Sequence, residues 1–141
     1  MKTKTLVLLI LMLGFSVTQL PAQTLKKGAV LAVRSYTMTL QPDVTMNQFL
    51  DFYVNKFIPV FEKNYPGTKM FVLSGDRGEK KYQIGELLYF ESSAIRDKYW
   101  PAEDKLSDEA VAANKKMEAI YDEFGKFWLE STQVSTDWVI K

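Results

Sequence analysis

Residues 29–40 read AVLAVRSYTMTL, and the alternation of side chains along this stretch decides the fold. In an extended chain, successive side chains point to opposite faces. One face then carries the even-numbered residues, which are Val30, Ala32, Arg34, Tyr36, Met38 and Leu40. The other face carries the odd-numbered residues, which are Leu31, Val33, Ser35, Thr37 and Thr39. This period of two predicts a β-strand.

A helix is predicted directly after this strand. Gln41-Pro42-Asp43 ends the strand, and Thr45 with Gln48 fits a capping box. Apolar side chains then recur at spacings of three and four residues, namely Met46, Phe49, Leu50, Tyr53, Phe57, Val60 and Phe61. Pro59 lies inside this stripe, and a proline there removes a backbone hydrogen bond, so we expect a kink or an early end. The sequence NYPG at 64–67 ends the helix in any case.

The rest of the chain supplies three strands and two helical segments. Residues 69–74 and 82–91 predict a hairpin around the turn at 75–78. A short helix follows Ser92 or Ser93 and stops at Trp100, before Pro101. A longer helix starts after Ser107, with an apolar stripe that runs to Phe127, and residues 133–140 predict the last strand. This order predicts an α+β domain of the ferredoxin-like, split β-α-β kind, with a four-stranded antiparallel sheet.

One face of such a sheet is covered by helices, and the other is left open. We expect the open face to carry Val30, Ala32, Tyr36, Met38, Leu88 and Phe90. Two such faces would bury each other, which predicts a homodimer that closes as an α/β barrel.

Three segments resemble NIPSNAP-like domains, a group within the dimeric α/β-barrel proteins. They are residues 33–42 (VRSYTMTLQP), 57–63 (FIPVFEK) and 89–96 (YFESSAIR). The resemblance spans most of residues 30–100 and implies the same fold and dimer, with no agreed reaction. The family often carries a histidine in its third strand, where this sequence has Glu86.

The N-terminus predicts export. Lys2 and Lys4 precede an apolar run at 6–15, and Ala22 offers a small residue for cleavage. Residues 1–22 therefore form a predicted signal peptide, with residues 23–141 as the exported domain, periplasmic or secreted. A retained membrane anchor is the alternative, although the apolar run is short for a bilayer. After cleavage we expect no membrane association.

Composition narrows the chemistry. The sequence contains no histidine and no cysteine, so thiol nucleophiles, histidine bases and soft metal sites are excluded. Loss of residues 1–22 leaves the domain with one net negative charge, which gives no general attraction for nucleic acid. The sequence predicts no catalytic residue, no metal and no cofactor.

Arg34 and Glu86 stand out because each lies mid-strand on an apolar face. Their strands are predicted antiparallel neighbours, and a buried charge is costly unless it is paired. Three interpretations stay open: a buried structural ion pair, a polar anchor in an apolar pocket, and simple solvent exposure. The predicted ligand-binding residues are Arg34, Tyr36, Glu86, Phe90 and Trp138.

Three functions follow from this pattern. The first is an exported homodimer that binds a small apolar or aromatic molecule. The second is a cofactor-independent oxygenase or isomerase, whose proton transfers would fall to tyrosine, carboxylate or lysine side chains. The third is a structural or interaction module without a ligand.

Overall fold

The structure is a computed structural model that describes residues 25–81, 83–102 and 105–141. The predicted signal peptide at 1–22 lies outside these residues. None of the helices formed by the described residues reaches the length and apolar character that spanning a bilayer requires.

Four strands and several short helices follow each other along the chain. The strands are β1 (Val30–Leu40), β2 (Thr68–Ser74), β3 (Ile84–Phe90) and β4 (Trp128–Val139). The helices are α1 (Met46–Phe52), α2 (Ile58–Asn64), α3 (Ser93–Tyr99), α4 (Asp108–Lys116) and α5 (Glu118–Phe124). A π-helical turn, Tyr53–Phe57, joins α1 to α2.

The strands form one antiparallel sheet in the order β2-β3-β1-β4. The first and third strands are therefore central neighbours, and the predicted ferredoxin-like α+β fold is confirmed. In the β1–β3 register, Arg34 lies directly opposite Glu86. The last strand starts earlier than the predicted residue 133, because β4 pairs with β1 from Trp128 onward through a register shift near Leu40.

The helices cover the even-numbered face of β1, so the predicted open face was wrong. Val30, Ala32, Leu88 and Phe90 are all buried, and they pack in the core with the aromatic residues of α1 and the π-helical turn. Tyr36 and Met38 are half-buried on the same side. Alternation sorts side chains into two faces, but it does not say which face the helices cover.

The open face instead carries the odd-numbered residues of β1 and their cross-strand partners. Phe71 and Leu73 of β2 and Trp138 of β4 are exposed there. Trp138 lies opposite Leu31 in the β1–β4 register. Apolar side chains are exposed on this face, as predicted, although they are different from those expected, and exposed Thr37, Thr39 and Thr132 lie on the same face.

Five aromatic rings stack along the first helical segment and form what we call the aromatic ladder: Phe49, Tyr53, Phe57, Phe61 and Tyr65. Consecutive ring centroids lie 5.5, 5.0, 6.4 and 4.5 Å apart. A four-residue step in an ideal α-helix drifts by about 40°, which amounts to roughly 160° over the ladder. The wider π-helical turn offsets part of this drift and keeps the rings on the sheet side.

The kink expected at Pro59 takes the form of this π-helical turn. Within it, the Ile58 amide donates to the Tyr53 carbonyl, five residues back. Pro59 then lies in the first turn of α2, where its missing amide is tolerated. The helix therefore continues to Asn64 rather than ending early.

The helix predicted after Ser107 is interrupted at Met117, which separates α4 from α5. Met117 is 1 % exposed, so the interruption lies in the core. Helix α5 ends at Phe124, and Phe127 lies just before β4 rather than in a helix. The sequence shows no proline or glycine at the interruption, and so it was not expected.

Candidate functional site

A cavity of about 350 Å³ lies between the covered face of the sheet and the helices. All five rings of the aromatic ladder line it, and the other aromatic residues in its wall are Tyr36, Trp100, Tyr121, Phe124 and Trp128. Leu106 and Tyr121, both exposed, also belong to the wall. The cavity is thus apolar inside and reaches solvent at one side.

A network of three polar side chains meets in this apolar wall. Glu86 is 2 % exposed, and its Oε1 accepts a 2.9 Å hydrogen bond from Arg34 Nη1. The Tyr53 hydroxyl donates a short hydrogen bond to Glu86 Oε2. Both carboxylate oxygens of Glu86 are therefore engaged, and its charge is balanced by the guanidinium.

The positions of the three residues follow from local structure. Arg34 and Glu86 lie opposite each other on central strands, and their side chains share the covered face. Tyr53 is the first residue of the π-helical turn and reaches Glu86 from the helix side. The network therefore joins the two layers of the fold.

The phenols around the network stay protonated well beyond neutral pH. Burial, with the nearby Glu86 carboxylate as the next cause, raises the pKa of Tyr36 to about 12. The same two causes raise the pKa of Tyr53, whose hydrogen bond to Glu86 also favours the neutral phenol. Burial and Glu86 likewise raise the pKa of Tyr121. These hydroxyls therefore act as hydrogen-bond donors at neutral pH and not as bases.

The guanidinium of Arg34 is held in its charged form. Burial is the largest single effect and lowers its pKa, but the Glu86 carboxylate together with the neighbouring Tyr36 and Tyr53 outweighs burial, and the pKa is raised. Arg34 Nε is buried and has no hydrogen-bond partner among the described residues. Trp128 Nε1, in another part of the cavity wall, is also buried and also has no hydrogen-bond partner among the described residues.

A second polar cluster lies in the wall on the α4 side. Asn114 Oδ1 accepts hydrogen bonds from the hydroxyls of Tyr65, at 2.6 Å, and Tyr121, at 3.1 Å. This amide oxygen is thereby occupied by two donors. No group of three or more acidic side chains suited to a metal ion occurs within the described residues.

The structure brings together three of the five predicted ligand-binding residues. Arg34, Tyr36 and Glu86 line the cavity, and their role in ligand binding stays a prediction. Phe90 is buried in the core, 5.8 Å from the ring of Trp100, and does not line the cavity. Trp138 is on the opposite face of the sheet.

Sequence reasoning did not assign Tyr53 to the site. It was placed in the apolar stripe of the first helix, and nothing in a helical pattern indicates that its hydroxyl meets a carboxylate on a strand. The repeat of aromatic residues every four positions from Phe49 to Tyr65 was the available signal. Such a repeat predicts that the rings form one continuous surface wherever the helix keeps the same side towards the sheet.

The chain matches no protein-family model and no curated protein sequence. Among solved structures it is similar to a dimeric protein of unknown function and ferredoxin-like fold from Bacteroides fragilis. That match has 16% identity and a TM-score of 0.42, and it covers 81% of this chain and 98% of the other. A NIPSNAP-like domain protein from Burkholderia xenovorans matches at 11% identity and a TM-score of 0.47, covering 78% and 84%.

A NIPSNAP family protein from Agrobacterium tumefaciens matches at 11% identity and a TM-score of 0.46, covering 77% of this chain and 90% of the other. These neighbours include the family that the sequence resembles. At these identities the likeness concerns the fold alone.

Proposed function

We propose that this protein binds a small, largely apolar molecule in the cavity between its sheet and its helices. The observation that carries the proposal is the buried network of Arg34, Glu86 and Tyr53 set in a wall of aromatic rings. Ligand pockets typically combine apolar walls with a few convergent polar groups, and a volume of about 350 Å³ lies within their usual range.

Binding fits the protonation states better than catalysis does. The phenols in the wall are held neutral by burial and by Glu86. Both Glu86 oxygens already accept hydrogen bonds. A general base must lie within hydrogen-bond reach of the proton that it removes, and Arg34 and Tyr53 already hold this carboxylate in the wall. The groups in this wall orient a ligand more readily than they remove a proton from it.

The test is a fluorescence titration with 1-N-phenylnaphthylamine, an uncharged probe that brightens in apolar surroundings. We expect saturable binding to the wild-type protein. Ser131→Trp should reduce this binding strongly, because Ser131 lines the cavity on β4.

The matched control is Thr132→Trp, one residue further along the same strand. Thr132 lies opposite Thr37 on the other face of the sheet, so this variant should keep wild-type binding. Absence of saturable binding, or equal loss in both variants, would support a structural or interaction module instead.

We further propose that the protein is a homodimer that pairs through its open sheet face. Phe71 is 45 % exposed and Trp138 is 62 % exposed on that face, and Leu31, Val33 and Leu87 extend the apolar surface between them. A second copy presents the same surface, and a stable interface of about 1,600 Å² would remove it from water.

Light scattering after size exclusion tests the dimer. We expect a dimer for the wild type and a monomer for Phe71→Glu at micromolar concentration. Val111→Glu is the control, because Val111 is also exposed, at 55 %, but lies on α4. A monomeric wild type would contradict this assembly.

Export is the last part of the proposal. Lys2, Lys4, the apolar run at 6–15 and Ala22 support a cleaved signal peptide. We therefore place the domain outside the cytoplasm, in the periplasm or the medium.

A further inference from the structure

The cavity opens along the outer strand of the sheet. In the strand order, β4 lies at one edge, and Ser131 and Gln133 of this strand both line the cavity. Both residues are exposed. The rings of the aromatic ladder also line the cavity, but each of these residues is 7 % exposed or less. A ligand therefore meets apolar surface inside the cavity and polar side chains at its opening.

Gln133 offers accessible hydrogen bonds at this opening. It lies opposite Tyr36 in the β1–β4 register, and Ser131 lies opposite Met38. Directly opposed residues of an antiparallel pair share a face of the sheet, so all four side chains lie on the covered face. The side-chain amide of Gln133 carries an acceptor oxygen and two N–H donors. Its exposure makes these atoms accessible to a ligand.

The chemistry of this amide favours a ligand group that both donates and accepts. A group that only accepts can use the nitrogen of Gln133, and a group that only donates can use the oxygen. A primary amide or a hydroxyl group can use both. The hydroxyl of Ser131, two residues away on the same strand, also donates and accepts.

The wall offers no unbalanced charge for a ligand to neutralise. Among the described residues, Arg34 and Glu86 are the only lining residues that are charged at neutral pH, and they pair with each other. Burial, with Glu86 as the next cause, raises the pKa of Tyr36 to about 12, although Arg34 acts in the opposite direction. Tyr36 is the residue directly opposite Gln133. A carboxylate bound beside Gln133 would therefore meet surroundings that disfavour an anion.

We propose that the cavity takes an uncharged amphiphile, whose apolar part lies along the aromatic ladder and whose polar group forms hydrogen bonds with Gln133. This polar group both donates and accepts, as a primary amide does. The proposal rests on the binding function proposed above, and it adds the chemical class of the ligand and the residue that selects it. Gln133 was not among the residues predicted from the sequence, because no sequence pattern distinguishes one polar residue of an edge strand from the next.

Four naphthalene derivatives of matched shape test the ligand class by displacing 1-N-phenylnaphthylamine from the wild-type protein. 2-Naphthamide both donates and accepts, 2-acetylnaphthalene only accepts, 2-naphthoate is an anion and 2-naphthamidine is a cation. We expect 2-naphthamide to bind roughly 3- to 10-fold more tightly than the ketone, as one further hydrogen bond between neutral groups would give. Both charged compounds should bind more weakly than 2-naphthamide.

Gln133→Leu tests the assigned residue. Leucine has a similar size but no polar atom in its side chain, so 2-naphthamide and the ketone should bind this variant equally. The matched control is Ser135→Leu on the same strand and the same face. Ser135 is also exposed, but it does not line the cavity, so this variant should keep the preference for 2-naphthamide. Thermal unfolding of both variants shows whether the fold is kept.

Gln133→Glu is a second variant with a different expected result. A carboxylate at this position supplies a negative charge at the opening of the cavity, so 2-naphthamidine should become the compound that binds most tightly. This gain of binding cannot come from a loss of folded protein.

The outcomes separate the two proposals. If 1-N-phenylnaphthylamine does not bind the wild-type protein, the binding function itself is contradicted, and the ligand class falls with it. If this probe binds but none of the four compounds displaces it, or another compound binds as tightly as 2-naphthamide, the binding function stands and the ligand class is refuted. A preference for 2-naphthamide that survives Gln133→Leu or disappears in Ser135→Leu, or an unchanged order of binding in Gln133→Glu, would overturn the assignment to Gln133.

Discussion

Replacing Arg34 by Met is expected to lower the free energy of unfolding by about 3 kcal/mol, because it leaves the Glu86 carboxylate buried without its cation. Glu86 is 2 % exposed, and it would keep the hydrogen bond from Tyr53 but lose its balancing charge. The loss lies at the low end of the usual range for buried pairs, since the Arg34 side chain is 24% exposed and partly screened. At roughly 4 °C per kcal/mol for a domain of this size, Tm should fall by about 12 °C.

The complementary change, Glu86→Gln, should cost less. The amide oxygen still accepts the hydrogen bond from Tyr53, and the partly exposed guanidinium of Arg34 can recruit water. In the double variant Arg34→Met, Glu86→Gln, no buried charge is left unpaired. We expect it to recover much of the loss of Arg34→Met, with a coupling energy of about 2 kcal/mol.

Chemical denaturation of the wild type and the three variants measures this coupling. The control is the same cycle on Lys56 and Glu123, an ion pair of 2.7 Å with side chains 59% and 39% exposed. Exposed pairs couple by less than about 1 kcal/mol. If Arg34 and Glu86 couple no more strongly than this control, the buried pair does not stabilise the fold, and its role is confined to the ligand.

Three further outcomes are expected. Above pH 10 the unfolded chain releases phenolic protons that the native Tyr36 and Tyr53 retain, so stability present below pH 10 should be lost as the pH rises towards 12. In Tyr53→Phe the free energy of unfolding, measured by denaturation at each pH, should fall less steeply with pH, by up to about 1.4 kcal/mol per pH unit. A variant with the same slope as the wild type would contradict the raised pKa of Tyr53. Deleting Asn55, an exposed residue of the π-helical turn, should rotate one half of the aromatic ladder by about 100° relative to the other half. The deletion should therefore lower Tm far more than Asn55→Ala does. If the two variants have the same Tm, the π-helical turn does not control the relative orientation of the two halves of the ladder. Intact-mass measurement of protein from the exporting cell should give a chain that begins at Gln23, and a mass that still includes residues 1–22 would refute cleavage.

The pairing of Arg34 with Glu86 could be predicted from the sequence. The period of two puts each charge mid-strand on an apolar face, and the order of elements makes the two strands central neighbours. The register that places them opposite each other then follows to within a residue or two. Helix capping by Thr45, Ser92 and Ser107 could also be predicted, because it depends only on neighbouring residues, and the structure confirms it.

The cavity could not be predicted in the same way. Its wall is formed by residues of all four strands and of helices far apart in the sequence. A local sequence pattern does not indicate which of these distant residues come together. The π-helical turn is an example: it offsets part of the drift between the aromatic rings of α1 and those of α2. The sequence around them is compatible with an ordinary helix.

The sequence by itself determined the order of strands and helical segments and the two residue sets that share a face, because these depend on backbone periodicity and short-range contacts; the π-helical turn, the break at Met117 and the early start of β4 were not among them. Only the tertiary structure decided which face of the sheet the helices cover. That choice buried Val30 and Phe90 in the core and left Trp138 on the opposite side. Its physical reason is that both faces of β1 are apolar enough to be buried, so the packing of the whole helical layer, and not the strand's own pattern, selects between them.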